Sequence, residues 1–328
     1  MRTTPSVSMR LCTAVFATVI AGGLAFFAAS SALAQDGGLK LVRYGERGAE
    51  RPGLIDASGT LRDLSGHIDD ITPEVLSPEG LAQLAAIDAA SLPAVGGDPR
   101  LGVPLTGIRQ IPALARNYRA HAIEGNFEVP EEPVLFFKAI TSLNGPDDTV
   151  VLPKNSVNSD FEVELGIVMG SRASYVSVED AIDYVAGYTL CEDVTERHYQ
   201  RNLGGGNSKG KSAPTFTPLG PWLVTTDGIE DIQNLAMWLD LNGERMIDSN
   251  TSYMLAGALE TVSYLSGFFT LLPGDVICSG TPEGVGAARV PPVYLRPGDV
   301  MTLGIEGLGE QRHEVRAYSP EELAAHGT

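Results

Sequence analysis

Positive charge is scarce in this 328-residue chain, which has 23 lysines and arginines against 41 aspartates and glutamates. Its formal net charge is −18. Nucleic acids and anionic membranes attract basic surfaces, so a surface this acidic argues against either of them as a partner. An anionic small molecule would need a local basic pocket or a bound metal ion to capture it.

Long apolar runs are also rare, and only one stretch approaches the ~18 apolar residues that a membrane-spanning helix needs. It covers residues 11–28, follows two arginines and precedes small residues at positions 31–34. A charged start, an apolar centre and an A-x-A site are typical of a secretory signal peptide. We therefore expect cleavage after Ala34 and a periplasmic or secreted protein without a membrane segment; an uncleaved membrane anchor is the alternative.

Cysteine occurs only three times, and Cys12 lies within the predicted signal peptide. Export would permit a disulfide between the other two, Cys191 and Cys278. A large core does not require one, and the sequence does not supply the distance between them. We treat both as small, buried, apolar residues and leave their pairing open.

Glycine and proline divide the rest of the chain into short segments. Two strand-like segments with glycine turns lie between residues 39 and 64, and a helical stretch runs from about 73 to 89. Gly96-Gly97-Asp98-Pro99 then resembles a linker. We predict a signal peptide over residues 1–34, a small N-terminal domain with its linker over 35–100, a catalytic domain over 101–320, and a tail over 321–328.

The larger domain shows many short strand patterns, few helices, and no regular alternation of strand and helix. This favours a β-rich α+β fold over a doubly wound sheet. The predicted helices are Val178–Tyr184 and Thr251–Phe269, the second of which is apolar enough for the core or a dimer interface. The predicted strands are Val134–Phe137, Phe161–Met169, Ala186–Cys191, Trp222–Val224, Met237–Leu241, Asp275–Ser279 and Val300–Ile305.

A pair of carboxylates two residues apart, Glu162 and Glu164, is the most informative local pattern. Residues i and i+2 of a strand point to one face, so these two would project together while Phe161, Val163 and Leu165 face the other way. Like charges held so close need a cation or a shared proton. With Asp193 they would offer three oxygen ligands, which suit a hard cation such as Mg²⁺ or Ca²⁺. A solvent-facing strand is the alternative.

The segment from Gly205 to Ser212 matches the phosphate-loop pattern GxxxxGK[ST] letter for letter. That motif functions between a buried strand and a helix, whose amides and dipole meet the phosphates. Here the preceding residues are polar, and two prolines follow where the helix would have to run. We interpret the segment as a flexible glycine loop that delivers Lys211.

Four further segments contain candidate functional residues. In the first, His121 and Glu124 are neighbours at i and i+3 on a helical turn, so the glutamate could orient the imidazole as a general base. In the fourth, a strand leads into a glycine-rich loop that could offer amides and the Thr281 hydroxyl to an anion. The four segments are residues 116–124, Phe136-Phe137-Lys138, Pro218-Leu219-Gly220-Pro221-Trp222 and residues 273–286.

Together, in this order and spacing, these segments resemble the fumarylacetoacetate hydrolase family over about residues 114–315. The pattern comprises N-Y-x-x-H-x-x-E, F-x-K, D-F-E-x-E-L, E-D-x-T-x-R, G-K-S, P-L-G-P-W and G-T-P-x-G-V-G. Residues 218–309 are similar to the branch of ureidoglycolate lyase-like or diketo-deoxy-sugar-acid hydrolases. The resemblance implies a mixed β-sandwich or roll with few helices, and a homodimer that acts on a small keto acid.

The resemblance also assigns roles to individual residues. Glu162, Glu164 and Asp193 would hold Mg²⁺ or Mn²⁺. His121, held by Glu124, would activate water, and Lys211 would stabilise the enolate left by C–C cleavage. The remaining implied substrate contacts are Arg116, Arg197, Gln200, Thr281 and, behind the others, Lys138.

Two differences from the family pattern concern residues near the site. Ala139 stands where proline commonly follows F-x-K, and Asp248-Ser249-Asn250 replaces a segment that usually contains glutamine. The leading hypothesis is a metal-dependent hydrolase of an acylpyruvate or diketo acid. A decarboxylase, tautomerase or lyase with the same metal site is the first alternative. A non-catalytic periplasmic binding protein is the second, although a binder needs neither Lys211 nor a His–Glu pair.

Overall fold

The computed structural model describes residues 38–326, so the predicted signal peptide lies outside the described residues. Within that range, no helix combines the length and the apolar character that crossing a membrane requires. The described part is rich in strands, and its helices are short. The β-rich α+β architecture predicted from the sequence is therefore confirmed.

The strands that form the sheets are mostly short. Each strand predicted in the larger domain is present, and its ends lie within two residues of the predicted ones. The strands are β1 Lys40–Tyr44, β2 Arg51–Ile55, β3 Leu61–Asp63, β4 Ile111–Ala115, β5 Val134–Lys138, β6 Leu143–Asn144, β7 Val150–Val151, β8 Ser159–Asp160, β9 Val163–Met169, β10 Val185–Glu192, β11 Thr195–Glu196, β12 Thr217–Pro218, β13 Leu223–Thr225, β14 Ala236–Leu241, β15 Glu244–Asn250, β16 Val276–Cys278, β17 Val300–Ile305 and β18 Gly309–Arg316.

The helices lie between these strands. The α-helices are α1 Pro78–Ala85, α2 Arg119–Glu124, α3 Arg197–Arg201, α4 Asn207–Lys211, α5 Ala258–Ser266 and α6 Pro320–Ala325. Short 3-10 turns occur at Ala89–Ser91, Ile140–Ser142, Ala181–Tyr184, Thr226–Gly228, Thr251–Tyr253 and Gly286–Ala288.

Two larger sheets organise the described part of the chain. A nine-stranded sheet has the order β3-β2-β1-β13-β10-β9-β16-β4-β5, and a five-stranded sheet has the order β15-β14-β17-β18-β7. Most pairs are antiparallel, but β16 pairs with β4 and β18 with β7 in parallel. Two further two-stranded ladders pair β8 with β11 and β6 with β12.

The strands of the predicted N-terminal domain are part of the larger sheet. Strand β1 pairs with β13, with Lys40 opposite Val224 and Leu41 opposite Leu223. Leu41 and Leu54 also share an apolar cluster with Leu223 and Val276. The boundary expected near residue 100 therefore does not separate two sheets, and the division of the chain into domains stays a prediction.

Strand β9 lies in the middle of the large sheet and is buried on both faces. Phe161, Val163, Leu165 and Ile167 all pack into the larger apolar cluster. Val168 packs into the second cluster, on the opposite face. The even-numbered positions therefore share that opposite face. This confirms the predicted alternation and places Glu162 and Glu164 together, with Glu162 just before the strand begins.

The predicted helix over residues 251–269 is wrong for its first part. The backbone N–H of Leu255 donates to the carbonyl oxygen of Asn117 at 2.7 Å, and that of Ala256 donates to the Asn117 side chain at 2.9 Å. Because these two N–H groups donate to Asn117, they are not available for the hydrogen bonds of a helix, and α5 begins only at Ala258. The helix predicted over residues 178–184 is also wrong in its first part, since only Ala181–Tyr184 is helical, as a 3-10 turn.

Asn117 connects β4, α5 and the loop after β16. Its side-chain amide donates to the carbonyl oxygens of Ala256 at 2.9 Å and Ser279 at 2.8 Å, and the residue is 3% exposed. Asn117→Ala should lower the free energy of unfolding by about 2–4 kcal/mol, because buried partners lose their hydrogen bonds. Urea unfolding measures this. Asn234→Ala serves as the control. If Asn117→Ala lowers the free energy of unfolding by less than about 1 kcal/mol, Asn117 does not hold these segments together.

The two cysteines of the larger domain form a disulfide, with their Cα atoms 6.2 Å apart. Both are fully buried, as predicted. The pairing, which the sequence leaves open, follows from the sheet order, because β10 and β16 bring the two cysteines together across β9. The sequence separation of 87 residues gives no sign of this proximity.

Candidate active site

Three buried carboxylates converge at one end of the neighbouring strands β9 and β10 in the large sheet. Glu162 and Glu164 come from the start of β9, and Asp193 follows β10, the strand beside it. One oxygen of each lies within 4.8 Å of the others, and none of the three residues is more than 3% exposed. The backbone N–H of Asp193 donates to the carbonyl oxygen of Glu162 at 2.9 Å, which holds the two chain segments in register.

The environment of each carboxylate sets its charge. Burial and the negative charge of Asp193 raise the pKa of Glu164 well above its usual range. Burial also opposes ionisation of Glu162, but the positive charges of Arg197 and Lys211 outweigh it and hold the pKa of Glu162 below its usual range. The pKa values of the two neighbouring glutamates are therefore shifted in opposite directions, as expected where like charges compete.

Two buried lysines balance this negative charge. Lys211 lies at the end of α4, where its ammonium contacts Glu162 and Asp193 and donates to the Thr195 hydroxyl at 2.8 Å. Burial lowers the pKa of Lys211, but Asp193 and Glu162 raise it by more, so the ammonium stays charged. The other lysine, Lys138 at the end of β5, contacts Asp193 from behind and donates to the carbonyl oxygen of Phe216 at 3.0 Å.

Arg197 fixes the other side of Glu162. Its guanidinium donates to Asp160 at 2.9 Å and to Glu162. Asp160 in turn accepts from the backbone N–H groups of Gly286 at 2.8 Å and Ala287 at 3.0 Å. Burial lowers the pKa of Arg197, but the two carboxylates outweigh it and raise the pKa. The arginine therefore links the β8 and β9 segments to the glycine-rich loop after β16.

The predicted His–Glu pair is present on α2. His121 Nδ1 lies 2.8 Å from one oxygen of Glu124, and the other oxygen accepts from the backbone N–H of Gly284 at 2.8 Å. A carboxylate facing Nδ1 places the ring proton there and leaves Nε2 as the acceptor. The backbone contact ties α2 to the glycine-rich loop. The imidazole of His121 is therefore held through Glu124 against the loop after β16.

A cavity of about 520 Å³ brings most of the predicted residues together. His121, Glu124 and Lys211 lie on its wall, as do Glu162 and Glu164. The predicted contacts that line it are Arg116, Arg197, Gln200 and Thr281. Asp193 and Lys138 lie behind this wall. Lys138, which the resemblance implies to lie behind the other substrate contacts, has a buried ammonium that contacts Asp193, and its part in substrate binding stays a prediction.

Three of the polar residues on the wall differ in how firmly they are held. Gln200 donates to Asn207 at 3.0 Å. The Thr281 hydroxyl is buried and has no hydrogen-bond partner among the described residues, so it is available to a ligand. Arg116 has a left-handed backbone with φ of 59°, and its guanidinium lies 5.4 Å from the centre of the Phe127 ring.

Several residues on or behind the wall were missed by sequence reasoning. Asp160 is one of them, although its place in the D-F-E motif, two residues before Glu162, indicates a shared face. Glu192 accepts from the Glu162 backbone N–H at 2.8 Å, and burial raises the pKa of Glu192 to about 8. Arg201 and Arg289 also line the cavity. No motif distinguishes these two arginines from surface residues.

The phosphate-loop look-alike does not have the structure of that motif. Helix α3 precedes it instead of a strand, and the five-residue helix α4 ends at Lys211. The expectation of a flexible loop is only partly right, since Lys211 is 3% exposed and held by two carboxylates. Gly204, Gly205 and Gly206, before α4, do adopt positive φ.

The donor set fits a hard divalent cation. Such ions take carboxylate oxygens together with water and substrate oxygens. Here three carboxylates supply those oxygens in a buried cluster, two of them reach the cavity wall, and the backbone N–H of Gly280 orients Glu164 by donating to it at 2.8 Å. No histidine or cysteine belongs to the described acidic cluster, so a softer, thiolate-binding metal would fit poorly.

Comparison with known proteins assigns the family. Residues 110–316, more than half of the chain, match the family model "Fumarylacetoacetate (FAA) hydrolase C-terminal". The chain is 51% identical over 281 residues to the 2,4-didehydro-3-deoxy-L-rhamnonate hydrolase of Sphingomonas sp. (strain SKA58), with 85% of this chain and 97% of that protein covered.

Solved structures agree with the sequence comparison. The fumarylacetoacetate hydrolase of psychrophilic Exiguobacterium antarcticum is similar, with a TM-score of 0.75 at 31% identity, covering 85% of this chain and all of that one. Maleylpyruvate hydrolase from Sphingobium sp. SYK-6 gives a TM-score of 0.71 at 28% identity with the same coverage. The chain therefore belongs to the fumarylacetoacetate hydrolase family and is a hydrolase.

Proposed function

We propose that this protein is a divalent-metal-dependent hydrolase that cleaves a C–C bond in a 2,4-diketo acid, with Mg²⁺ or Mn²⁺ held by Glu162, Glu164 and Asp193. The observation that carries the proposal is the convergence of this acidic cluster with the His121–Glu124 pair at one cavity. The named relative at 51% identity directs the choice of substrate towards 2,4-diketo-3-deoxy sugar acids.

The reaction splits the bond between C3, the carbon that lies between the two carbonyl groups, and C4, the carbonyl carbon remote from the carboxylate. Water adds to the carbonyl carbon remote from the carboxylate, the C–C bond breaks, and the electron pair leaves as the enolate of an α-keto acid. Protonation of that enolate gives pyruvate, and the other fragment is released as a second acid. A bound divalent ion would supply Lewis-acid polarisation of the substrate's carbonyl groups.

His121 is the residue placed to take the proton from water. Glu124 holds the Nδ1 side of the ring, so the lone pair of Nε2 is available for proton transfer. The Gly284 N–H keeps Glu124 from rotating away. The same imidazole, once protonated, can return a proton to a leaving fragment, as a general acid–base group does over one turnover.

Lys211 supplies positive charge where the enolate develops. Its ammonium lies on the cavity wall, is buried, and remains charged because Asp193 and Glu162 face it. A preorganised charge in a site sheltered from water stabilises an anion more than the same charge in water. Arg197, Gln200 and Thr281 line the same wall and would orient the substrate's oxygens, while Arg116 would meet its carboxylate.

Turnover on a small substrate panel tests the proposal. The panel contains acylpyruvates and 2,4-diketo-3-deoxy sugar acids, each assayed for pyruvate with Mg²⁺, with Mn²⁺ and with EDTA. Pyruvate release that requires metal and disappears in Glu162→Ala is the expected result. Release of CO₂, or loss of enol absorbance without pyruvate, would replace the hydrolase with a decarboxylase or tautomerase. Metal binding without turnover of any substrate would contradict catalysis.

A further inference from the structure

The Cys191–Cys278 disulfide joins two strands that do not pair with each other. In the large sheet, β10 and β16 lie on either side of β9, so the bridge must cross β9. Cys191 is opposite Glu164 in the β9–β10 ladder, and Cys278 is opposite Gly166 in the β9–β16 ladder. Residues opposite each other in an antiparallel pair share a face, so the bridge lies on the same face as Glu164.

Gly166 leaves room for this crossing. A Cβ atom at this position would lie 2.8 Å from Thr189 Cγ2 and 3.6 Å from the Cβ of Cys191. Any side chain at position 166 would therefore occupy the surface over which the disulfide passes. The site carboxylate Glu164 is the next residue along the strand on that face, so the bridge and the acidic cluster are immediate neighbours.

The chain that leaves each cysteine leads directly into the acidic site. Two residues after Cys191 is Asp193, one of the three carboxylates. Two residues after Cys278 is Gly280, whose N–H donates to Glu164 at 2.8 Å, and Thr281 on the cavity wall follows. Strand β16 has only three residues and ends at Cys278. Beyond it, the Ser279 N–H donates to the carbonyl oxygen of Leu165 at 3.0 Å and the Asn117 amide donates to the carbonyl oxygen of Ser279, so the disulfide holds the start of that loop together with these two hydrogen bonds.

We propose that the Cys191–Cys278 disulfide is a positioning element of the active site, which fixes Asp193 and the Gly280–Thr281 loop on the two sides of Glu164. The proposal rests on the metal-dependent function proposed above. Groups that orient metal ligands commonly change metal affinity 10–100-fold when they are removed. The bridge acts through the two chain segments and touches neither substrate nor metal.

A bridge with this role needs an oxidising compartment. Its formation removes two electrons and two protons from the thiols, which thiol–disulfide exchange passes to a disulfide-bearing oxidant. Disulfides persist in the periplasm and outside the cell and are rare in the cytosol. The positioning role is thus consistent with the signal peptide predicted from residues 1–34.

Peptide mapping tests whether the bridge exists in the protein. The full chain is purified without reductant, unfolded in the presence of an alkylating agent, digested and examined by mass spectrometry. A linked pair of peptides that contain Cys191 and Cys278, which separates on reduction, is the expected result. Alkylation of both cysteines without prior reduction would overturn the proposal.

Metal titration of matched variants tests the positioning role. Cys191→Ala/Cys278→Ala should raise the Mn²⁺ dissociation constant, measured by calorimetry, by about 10–100-fold. Val168→Ala is the control, because Val168 is equally buried on the same face of β9 but lies four residues further along the strand than Glu164. It should lower the melting temperature yet leave Mn²⁺ binding within about twofold. The positioning role of the disulfide would be overturned if Mn²⁺ binding were weakened equally in the double cysteine variant and in Val168→Ala. It would also be overturned if the double cysteine variant bound Mn²⁺ as tightly as the wild type.

A comparison without mutation guards against a double variant that does not fold. Wild-type protein is refolded with and without a phosphine reductant, which is then removed, and the Mn²⁺ titration is repeated. The refolded reduced protein should bind Mn²⁺ more weakly than the oxidised one, and equal affinity would contradict the role. A failure of the proposed function would give a different result: the wild-type protein would bind Mn²⁺ but would release no pyruvate from any substrate.

Discussion

His121→Asn should lower kcat for pyruvate release by a factor of about 10²–10⁴, the contribution typical of general acid–base catalysis. Asparagine retains a polar side chain but cannot accept a proton from water. His121 is not part of the acidic cluster proposed to hold the metal, so the Mn²⁺ dissociation constant should stay close to that of the wild type. Steady-state turnover and calorimetry on the same preparation measure both quantities.

The control for this prediction is His67→Asn, because His67 is exposed and far along the chain from the site. It should leave kcat unchanged. Glu124→Gln should cause a smaller loss than His121→Asn, since the imidazole remains but loses its carboxylate partner. A kcat within about tenfold of wild type for His121→Asn would exclude the imidazole as the base.

Asp193→Asn should lower the free energy of unfolding by about 3–5 kcal/mol when metal is absent, the usual cost of breaking a buried ion pair. Asp193 is fully buried and faces the ammonium groups of Lys138 and Lys211. Neutralising it leaves these charges with one carboxylate fewer. Urea unfolding in the presence of EDTA isolates this effect from the loss of metal binding.

The same variant should also bind Mn²⁺ far more weakly, because one of the three carboxylates is gone. Asp69→Asn is the control, since Asp69 is exposed, and it should change stability by no more than about 0.5 kcal/mol. Unfolding of Asp193→Asn at the wild-type urea concentration would show that the two lysines do not depend on this carboxylate.

Local periodicity explains which parts of the site could be predicted from the sequence. Glu162 and Glu164 are two residues apart, and His121 and Glu124 are three apart, so strand and helix geometry alone place each pair together. The larger set of residues, including Asp193 and Lys211, was assembled by resemblance to a family. Its convergence at one cavity depends on the topology of the sheet.

Contacts between distant segments explain what could not be predicted. Lys138 pairs with Asp193, 55 residues away, a partner that neither the F-x-K motif nor local periodicity indicates. The helix expected over residues 251–269 failed because Asn117, more than 130 residues earlier, captures its first backbone donors. Propensity and pattern describe neighbours along the chain, and they contain no information about which remote partner competes for a backbone group.

Alternate residues of strand β9 face two different parts of the interior, the apolar cluster and the acidic site. The number of residues at the start of the strand therefore determines which side chains face each part. A single inserted or deleted residue between Asp160 and Gly166 would turn Glu164 towards the apolar cluster around Leu165 and turn Val163 or Leu165 towards the cations. Both errors would occur together, so no compensating substitution at one position could repair them. By contrast, the exposed turn at Leu203–Gly206 can change length without shifting any ladder. Among natural variants of this chain, insertions should therefore collect at that turn and be absent from the start of β9.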